Sequence, residues 1–242
     1  MRIVPVIDLM HGYVVRARMG DRASYRPLNS PLSPTSDAVD VARGMLALYP
    51  FPTLYVADLD AIQGRGDNFQ TLRRIREAFP TLEMWVDNGA AEPVAIDALI
   101  DADLGVPILG AESQRDAALV AKHRGSTGVV LSLDFRGDAF QGPEAILAEP
   151  ALWPSRIIVM TLARVGSGAG PDLQRIAAIR SIAGGREIYA AGGVRDASDL
   201  SALKAVGVAG ALIATALHEQ RIVAADLEAL SIRSSCRRDR TA

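Results

Sequence analysis

The chain has 242 residues, 49% of them hydrophobic and 22% charged, with a formal net charge of −2. A chain of this length buries roughly 70 to 75% of the surface it exposes when unfolded, so it needs no disulfide or metal staple, and its single cysteine, Cys236, has no partner and fits a reducing compartment. The charge balance argues against nucleic acid as a partner, no run approaches the ~18 apolar residues of a membrane span, and the N-terminus resembles neither a signal nor a transit peptide, so a cytoplasmic location is expected.

Short runs rich in Val, Ile and Leu recur at 3–7, 53–57, 83–86, 106–109, 129–133, 157–160, 188–191 and 211–214. Each is too short for a helix and too uniformly apolar for a half-exposed strand, which is the pattern of parallel strands buried on both faces. Between them lie stretches with helical spacing, such as Phe69, Leu72, Ile75 and Phe79, or Leu173, Ile176, Ala177 and Ile179. Eight β-α units in this length predict a (β/α)₈ TIM barrel, with a doubly wound open sheet as the alternative. The 13 prolines and 21 glycines are spread evenly enough that no linker divides the chain. One domain is expected over 1–230, followed by a polar, disordered tail at 231–242.

An internal half-barrel repeat supports closure. Asp58 and Thr161 end their strands about 103 positions apart, and Val86 to Gly89 mirrors Ala190 to Gly193 at nearly the same offset. Ile7-Asp8-Leu9 and Leu133-Asp134-Phe135 relate the first and fifth strands in the same way.

In such barrels the C-terminal ends of the strands carry the active site, which picks out Asp8, Asp58, Asp87, Asp134 and Thr161. A lone Asp after a strand can equally cap a loop or the next helix. Asp8 and Asp134 differ from a lone Asp because the first and fifth strands face each other across the mouth, and opposed carboxylates suit general acid and base work. The Ala191-Gly192-Gly193 turn fits a phosphate site whose backbone amides approach an anion without a Cβ in the way, though an ordinary tight turn has the same composition. Arg16, Arg18 and Arg22 make the first long loop basic, suited to a substrate anion or to plain surface charge. His11 lies near Asp8 in sequence, while His123 and His218 read as helix residues. The three histidines share no ligand spacing, so neither metal nor cofactor is expected.

Val4-Pro-Val-Ile-Asp-Leu9, 15–27, Val56-Ala-Asp-Leu-Asp60, Leu131-Ser-Leu-Asp134, 166–172 and Ala190-Ala-Gly-Gly-Val-Arg195 resemble the histidine-biosynthesis barrel family. Its two main members are the phosphoribosylformimino-5-aminoimidazole carboxamide ribotide (ProFAR) isomerase and the cyclase subunit of imidazole glycerol phosphate synthase. The resemblance to the isomerase implies Asp8 as general base, Asp134 as general acid and Thr161 in support. The implied reaction is an Amadori rearrangement, in which ring opening and removal of the C2 proton turn an aminoaldose into an aminoketose. It also implies a small phosphorylated metabolite held near Gly168, Gly192, Gly193 and Thr215, with Asp58 and Asp87 beside it, and leaves an oligomer open.

Three segments depart from the family pattern. Asp87-Asn88-Gly89 replaces a Gly-Gly-Gly turn that holds one of two substrate phosphates, Ala214-Thr215-Ala216 replaces Gly-Arg-Ala, and Gly142-Pro143 replaces a Gly-Trp pair that stacks on the substrate. Trp153 is near that pair in sequence and reads equally as a packing residue. The departures point to a divergent branch, some of whose members are associated with one-carbon carrier biosynthesis, acting on a different monophosphate. A non-catalytic barrel that binds a metabolite or partner is the remaining alternative.

Overall fold

The computed structural model describes residues 1–19 and 21–235. Its ten strands are β1 (Arg2–Met10), β2 (Tyr13–Val15), β3 (Thr53–Asp58), β4 (Glu83–Asp87), β5 (Val106–Gly110), β6 (Val130–Arg136), β7 (Ala139–Phe140), β8 (Arg156–Thr161), β9 (Glu187–Ala191) and β10 (Gly210–Ile213). Its α-helices are α1 (Ala38–Leu48), α2 (Leu59–Ile62), α3 (Phe69–Ala78), α4 (Pro93–Asp101), α5 (Ala118–Lys122), α6 (Glu144–Ala148), α7 (Leu173–Ile182), α8 (Ala197–Val206), α9 (Thr215–His218) and α10 (Ala224–Ser235).

Eight of the strands pair in parallel, and β10 closes the sheet onto β1 in the register Arg2 to Gly210 through Pro5 to Ile213. That pairing makes the chain a (β/α)₈ barrel and removes the open sheet. The other two strands, β2 and β7, are short antiparallel additions to β1 and β6. They extend the first and fifth barrel strands alike, so the two halves share a device as well as sequence.

Each barrel strand sends alternate side chains inward and outward. Val4, Tyr55, Trp85, Ile108, Val130, Ile158, Tyr189 and Leu212, one from each strand, form a single inner cluster. The intervening residues, such as Leu9, Val56, Leu133 and Val159, pack outward in the layers beneath the helices. At the N-terminal end the interior is plugged: Arg156 bonds Glu83 at 3.0 Å and sits 5.2 Å over the Trp85 ring, which meets Tyr189 edge-on at 4.9 Å. The barrel therefore opens at the C-terminal ends of its strands.

Helix starts follow capping chemistry. Asp37, Asp58, Asp172 and Asp196 each accept backbone N–H groups from the first turns of α1, α2, α7 and α8. In α1, Ala38, Val41, Ala42 and Met45 fall on one buried stripe. α10 runs to Ser235, past the boundary expected at 230, and Cys236 and the rest of the expected tail lie outside the described residues.

Gly44 sits inside α1, where a Cβ would overlap the carbonyl oxygen of Leu32. A mid-helix Gly→Ala change ordinarily stabilises by up to ~1 kcal/mol. Here the sign reverses: Gly44→Ala is expected to destabilise by about 1 to 3 kcal/mol through overpacking. Thermal unfolding followed by circular dichroism checks this, and an unchanged or higher midpoint contradicts the tight approach of the 30–33 turn to α1.

Candidate active site

A cavity of about 1080 Å³, counted out to the solvent at its mouth, opens at the carboxyl ends of the strands. Asp8 on β1, Asp87 on β4 and Asp134 on β6 all line it. Strand alternation puts them there: Asp8 shares its face with Val4, Asp87 with Trp85, and Asp134 with Val130.

The three carboxyl groups differ in their partners. Asp134, 5% exposed, accepts from Ser132 Oγ at 2.7 Å and from the Glu112 backbone N–H at 3.2 Å. Asp87 accepts from the Gly89 N–H at 3.0 Å and from the Tyr55 hydroxyl at 3.2 Å. Asp8 has no hydrogen-bond partner among the described residues, and the Arg22 guanidinium is the cation that acts on it. Asp87 and Asp134 converge over β5, each placing a carboxylate oxygen 3.6 Å from where a Cβ on Gly110 would lie.

Burial in this setting disfavours the charged forms. It pushes Asp8 up to about 7, with Arg22 pulling down and Asp87 pushing up. Asp87 rises to about 6, chiefly by burial and restrained by its Gly89 hydrogen bond, and Asp134 to about 8, by burial against the Ser132 hydrogen bond, with Asp87 adding to the rise. Asp8 and Asp87 keep some accessible surface because they open on the cavity, yet the surrounding protein still penalises their ionisation.

The opposite wall is made of loops after β8, β9 and β10. Gly168, Gly192, Gly193 and Thr215 all line the cavity. Gly192 and Gly193 have φ of 97° and 90°, and both are packed against backbone: a Cβ on Gly192 would lie 2.5 Å from the Thr161 carbonyl oxygen, and one on Gly193 would overlap that of Gly170. Glycine is thus required there by packing whether or not an anion binds. Of the nearby cations, Arg195 is held by Asp199 through two bonds of 2.7 and 2.9 Å, and Arg164 by the Gly170 and Pro171 carbonyls. Arg221, paired to Glu219 at 2.8 Å, lines the cavity.

Two expected site residues are elsewhere. Asp58 shares its outward face of β3 with Leu54 and Val56, is fully buried, and accepts from the Ala61 and Asn68 N–H groups and the Asn68 side chain. Thr161 shares its outward face of β8 with Ile157 and Val159 and is 3% exposed. Each ends a strand one residue out of phase with the inner face, so neither side chain lines the cavity. Of the basic loop only Arg22 reaches the cavity, bonded to Glu112 at 2.7 Å, while Arg16 pairs with Glu219. His11 turns to Asp60, and Trp153 is fully buried with its indole N–H donated to the Ile146 carbonyl at 2.6 Å, a packing residue. His218 packs against Ser30 Oγ at 2.9 Å, and burial holds it near 4, so it stays neutral. No group of three or more metal-ligating side chains assembles among the described residues.

Tyr55, Ser132 and Glu112 were not singled out from the sequence. Ser132 and Tyr55 carry the same period-2 signal as Asp134 and Asp87, two residues before a cavity-facing position. Glu112 follows the end of β5 and carries no such signal.

A closed parallel barrel with ionisable groups from several strands meeting at its carboxyl end defines the class of (β/α)₈ barrels with a site at the mouth. Residues 2–223 match the family described as histidine biosynthesis protein, and the chain belongs to that family. A relative from Methanocaldococcus jannaschii, an uncharacterized protein, is 27% identical over 220 residues, covering 90% of this chain and 94% of its own. The 1-(5-phosphoribosyl)-5-((5-phosphoribosylamino)methylideneamino)imidazole-4-carboxamide isomerase of Thermus thermophilus is 27% identical over 236 residues, covering 92% and 96%. The isomerase of the same name from Deinococcus radiodurans is 28% identical over 236 residues, covering 90% and 94%.

Proposed function

We propose that the protein is an isomerase-type barrel enzyme that performs acid–base chemistry on a small phosphorylated substrate, with Asp134 as general acid and Asp8 as general base. The observation that carries this reading is that the two carboxyl groups enter one cavity from opposed strands, with burial raising both well above the ordinary carboxylate range. Burial brings both groups within reach of neutral pH, where each can hold or release a proton, and the division into acid and base follows the resemblance to the isomerase. In the Amadori rearrangement of the isomerase relatives, Asp134 would protonate the ring oxygen as the aminoaldose opens, and Asp8 would take the C2 proton, giving the aminoketose.

The substrate's phosphate belongs at the wall formed by Gly168, Gly192, Gly193 and Thr215. Because Gly192 and Gly193 are needed by packing, Thr215→Asp is the informative variant: it adds a carboxylate to that wall at the start of α9, where an acidic residue is favourable for the helix. An alkyl monophosphate at a hundred times its Kd is expected to stabilise the wild type by about 2.7 kcal/mol. That protection, read as a rise in Tm, is expected to vanish in Thr215→Asp. Equal protection of both proteins would place the anion elsewhere and overturn the assignment of this wall.

A further inference from the structure

Asp87 stands at the end of the cavity remote from Gly192 and Thr215, and the role inferred for it rests on the phosphate wall proposed there. A turn after a strand can offer its amides to an anion. In the 87–89 turn the Gly89 N–H is instead donated to Asp87 Oδ1 at 3.0 Å, so the chain's own carboxylate occupies it. The other oxygen of Asp87 accepts from Tyr55, a residue 4% exposed whose hydroxyl burial and the surrounding carboxylates hold in the protonated form. Asp134 converges on the same point over Gly110, and the Asp8 carboxyl, in the same cavity, has no hydrogen-bond partner among the described residues. The Arg22 guanidinium, which acts on Asp8 and Asp87, is already bound to Glu112 at 2.7 Å. Arg136, two residues beyond Asp134 on β6, also lines the cavity, with most of its side chain exposed to solvent. This end therefore brings four carboxyl groups, Asp8, Asp87, Asp134 and Glu112, against two guanidinium groups, in a cavity whose other wall is glycine-rich.

We infer that the substrate is a monophosphate whose far end carries a cationic nitrogen, an ammonium or amidinium, and that Asp87 is the residue that selects it over a second phosphate. A cation there offsets the burial of Asp87 and satisfies its remaining lone pairs. A phosphate in the same place meets a carboxylate where it would need amides, and like charges in a poorly solvated site repel strongly. A neutral end gains hydrogen bonds without that compensation. Asp87 thus sets specificity, while Asp8 and Asp134 are left for proton transfer.

Calorimetric titration of the wild-type protein with three ligand series tests this: alkyl phosphates, ω-aminoalkyl phosphates and α,ω-bisphosphates of matched and increasing chain length, alongside inorganic phosphate. At the best-fitting length the aminoalkyl phosphate is expected to bind at least about tenfold tighter than the alkyl phosphate, and the bisphosphate more weakly than either. In Asp87→Asn, whose side-chain oxygen can still accept from Gly89, the aminoalkyl advantage is expected to vanish and bisphosphate binding to improve. If the alkyl phosphates bind but the aminoalkyl series binds no tighter, or the bisphosphates bind tightest, the inference about Asp87 is overturned while the phosphate wall stands. If no series binds, inorganic phosphate included, the phosphate reading falls and this inference with it. The wild-type ranking decides the matter even should the variant not fold.

Discussion

Asp8→Asn and Asp134→Asn are each expected to lower turnover of any substrate the wild type isomerises by about 10² to 10⁴-fold, the usual contribution of a positioned acid or base. Neither change should harm the fold, and Asp8→Asn should improve stability at alkaline pH. The sign follows from linkage. Asp8 is raised from 3.8 to about 7 in the folded state, so the native protein holds this proton more tightly than the unfolded chain does. The stability contributed by the protonated form is fully present below about pH 4 and is lost as pH rises through 7. Asparagine stays neutral and escapes that loss, and because Asp8 has no hydrogen-bond partner among the described residues, nothing is given up in exchange. With coupling to Asp87 and Asp134 spreading the effect, the gain at pH 8 is of order 1 to 3 kcal/mol relative to pH 4. Asp134→Asn is expected to shift in the same direction, because its amide oxygen can accept from the Glu112 N–H while its nitrogen donates to Ser132 Oγ. Melting profiles at pH 4 and 8 check the sign: parallel pH dependence in wild type and Asp8→Asn would mean that Asp8 is not a desolvated carboxylate, and undiminished turnover would remove its catalytic role.

Turnover of ProFAR itself is expected to be weak or absent, despite the acid–base pair. That substrate carries two phosphates, and the end of the cavity opposite Gly192 holds Asp87 with its own turn amide satisfied. The resemblance implies an aromatic partner at the position of Pro143, and no aromatic residue from that loop reaches the cavity: Trp153 lies in the core and the aromatics lining the cavity are Tyr25 and Tyr55. Loss of one stack removes about 1 to 3 kcal/mol by analogy with base stacking, and each 1.4 kcal/mol is tenfold in efficiency. Added to the repulsion at Asp87, the deficit reaches several orders of magnitude. Growth of a strain lacking its own isomerase when supplied with this chain, together with a direct assay of purified protein, measures it. Robust growth with ordinary turnover would show that Asp87 and Pro143 are tolerated and that the second phosphate finds another grip.

The barrel was legible in the sequence because strands buried on both faces leave uninterrupted apolar runs, and eight such runs alternating with helical spacing admit few architectures. Asp8, Asp87 and Asp134 were legible by their places at strand ends. The same rule also picks Asp58 and Thr161, whose side chains do not line the cavity, because a strand end specifies height along the barrel and not which face the side chain takes. Phase was available in principle: Tyr55 to Ala57 and Ile158 to Met160 mark the inward faces, leaving Asp58 and Thr161 outward. The two residues are equivalents in the two halves, so the repeat turns both away from the cavity alike. Glu112 and the capture of Arg22 were beyond reach, because they depend on two loops 90 positions apart meeting over the mouth.

Titration of the aspartate carboxyl groups by carbon-13 NMR, in wild type and in the Asp8→Asn, Asp87→Asn and Asp134→Asn variants, addresses the acid–base pair itself. Three coupled resonances are expected with apparent midpoints from about 6 to about 8, each assigned by its loss in the matching variant. Removing Asp87 should lower the other two. Midpoints near 4 for Asp8 and Asp134 would mean that both are ordinary solvated carboxylates, and an acid and a base poised across one cavity would no longer describe this protein.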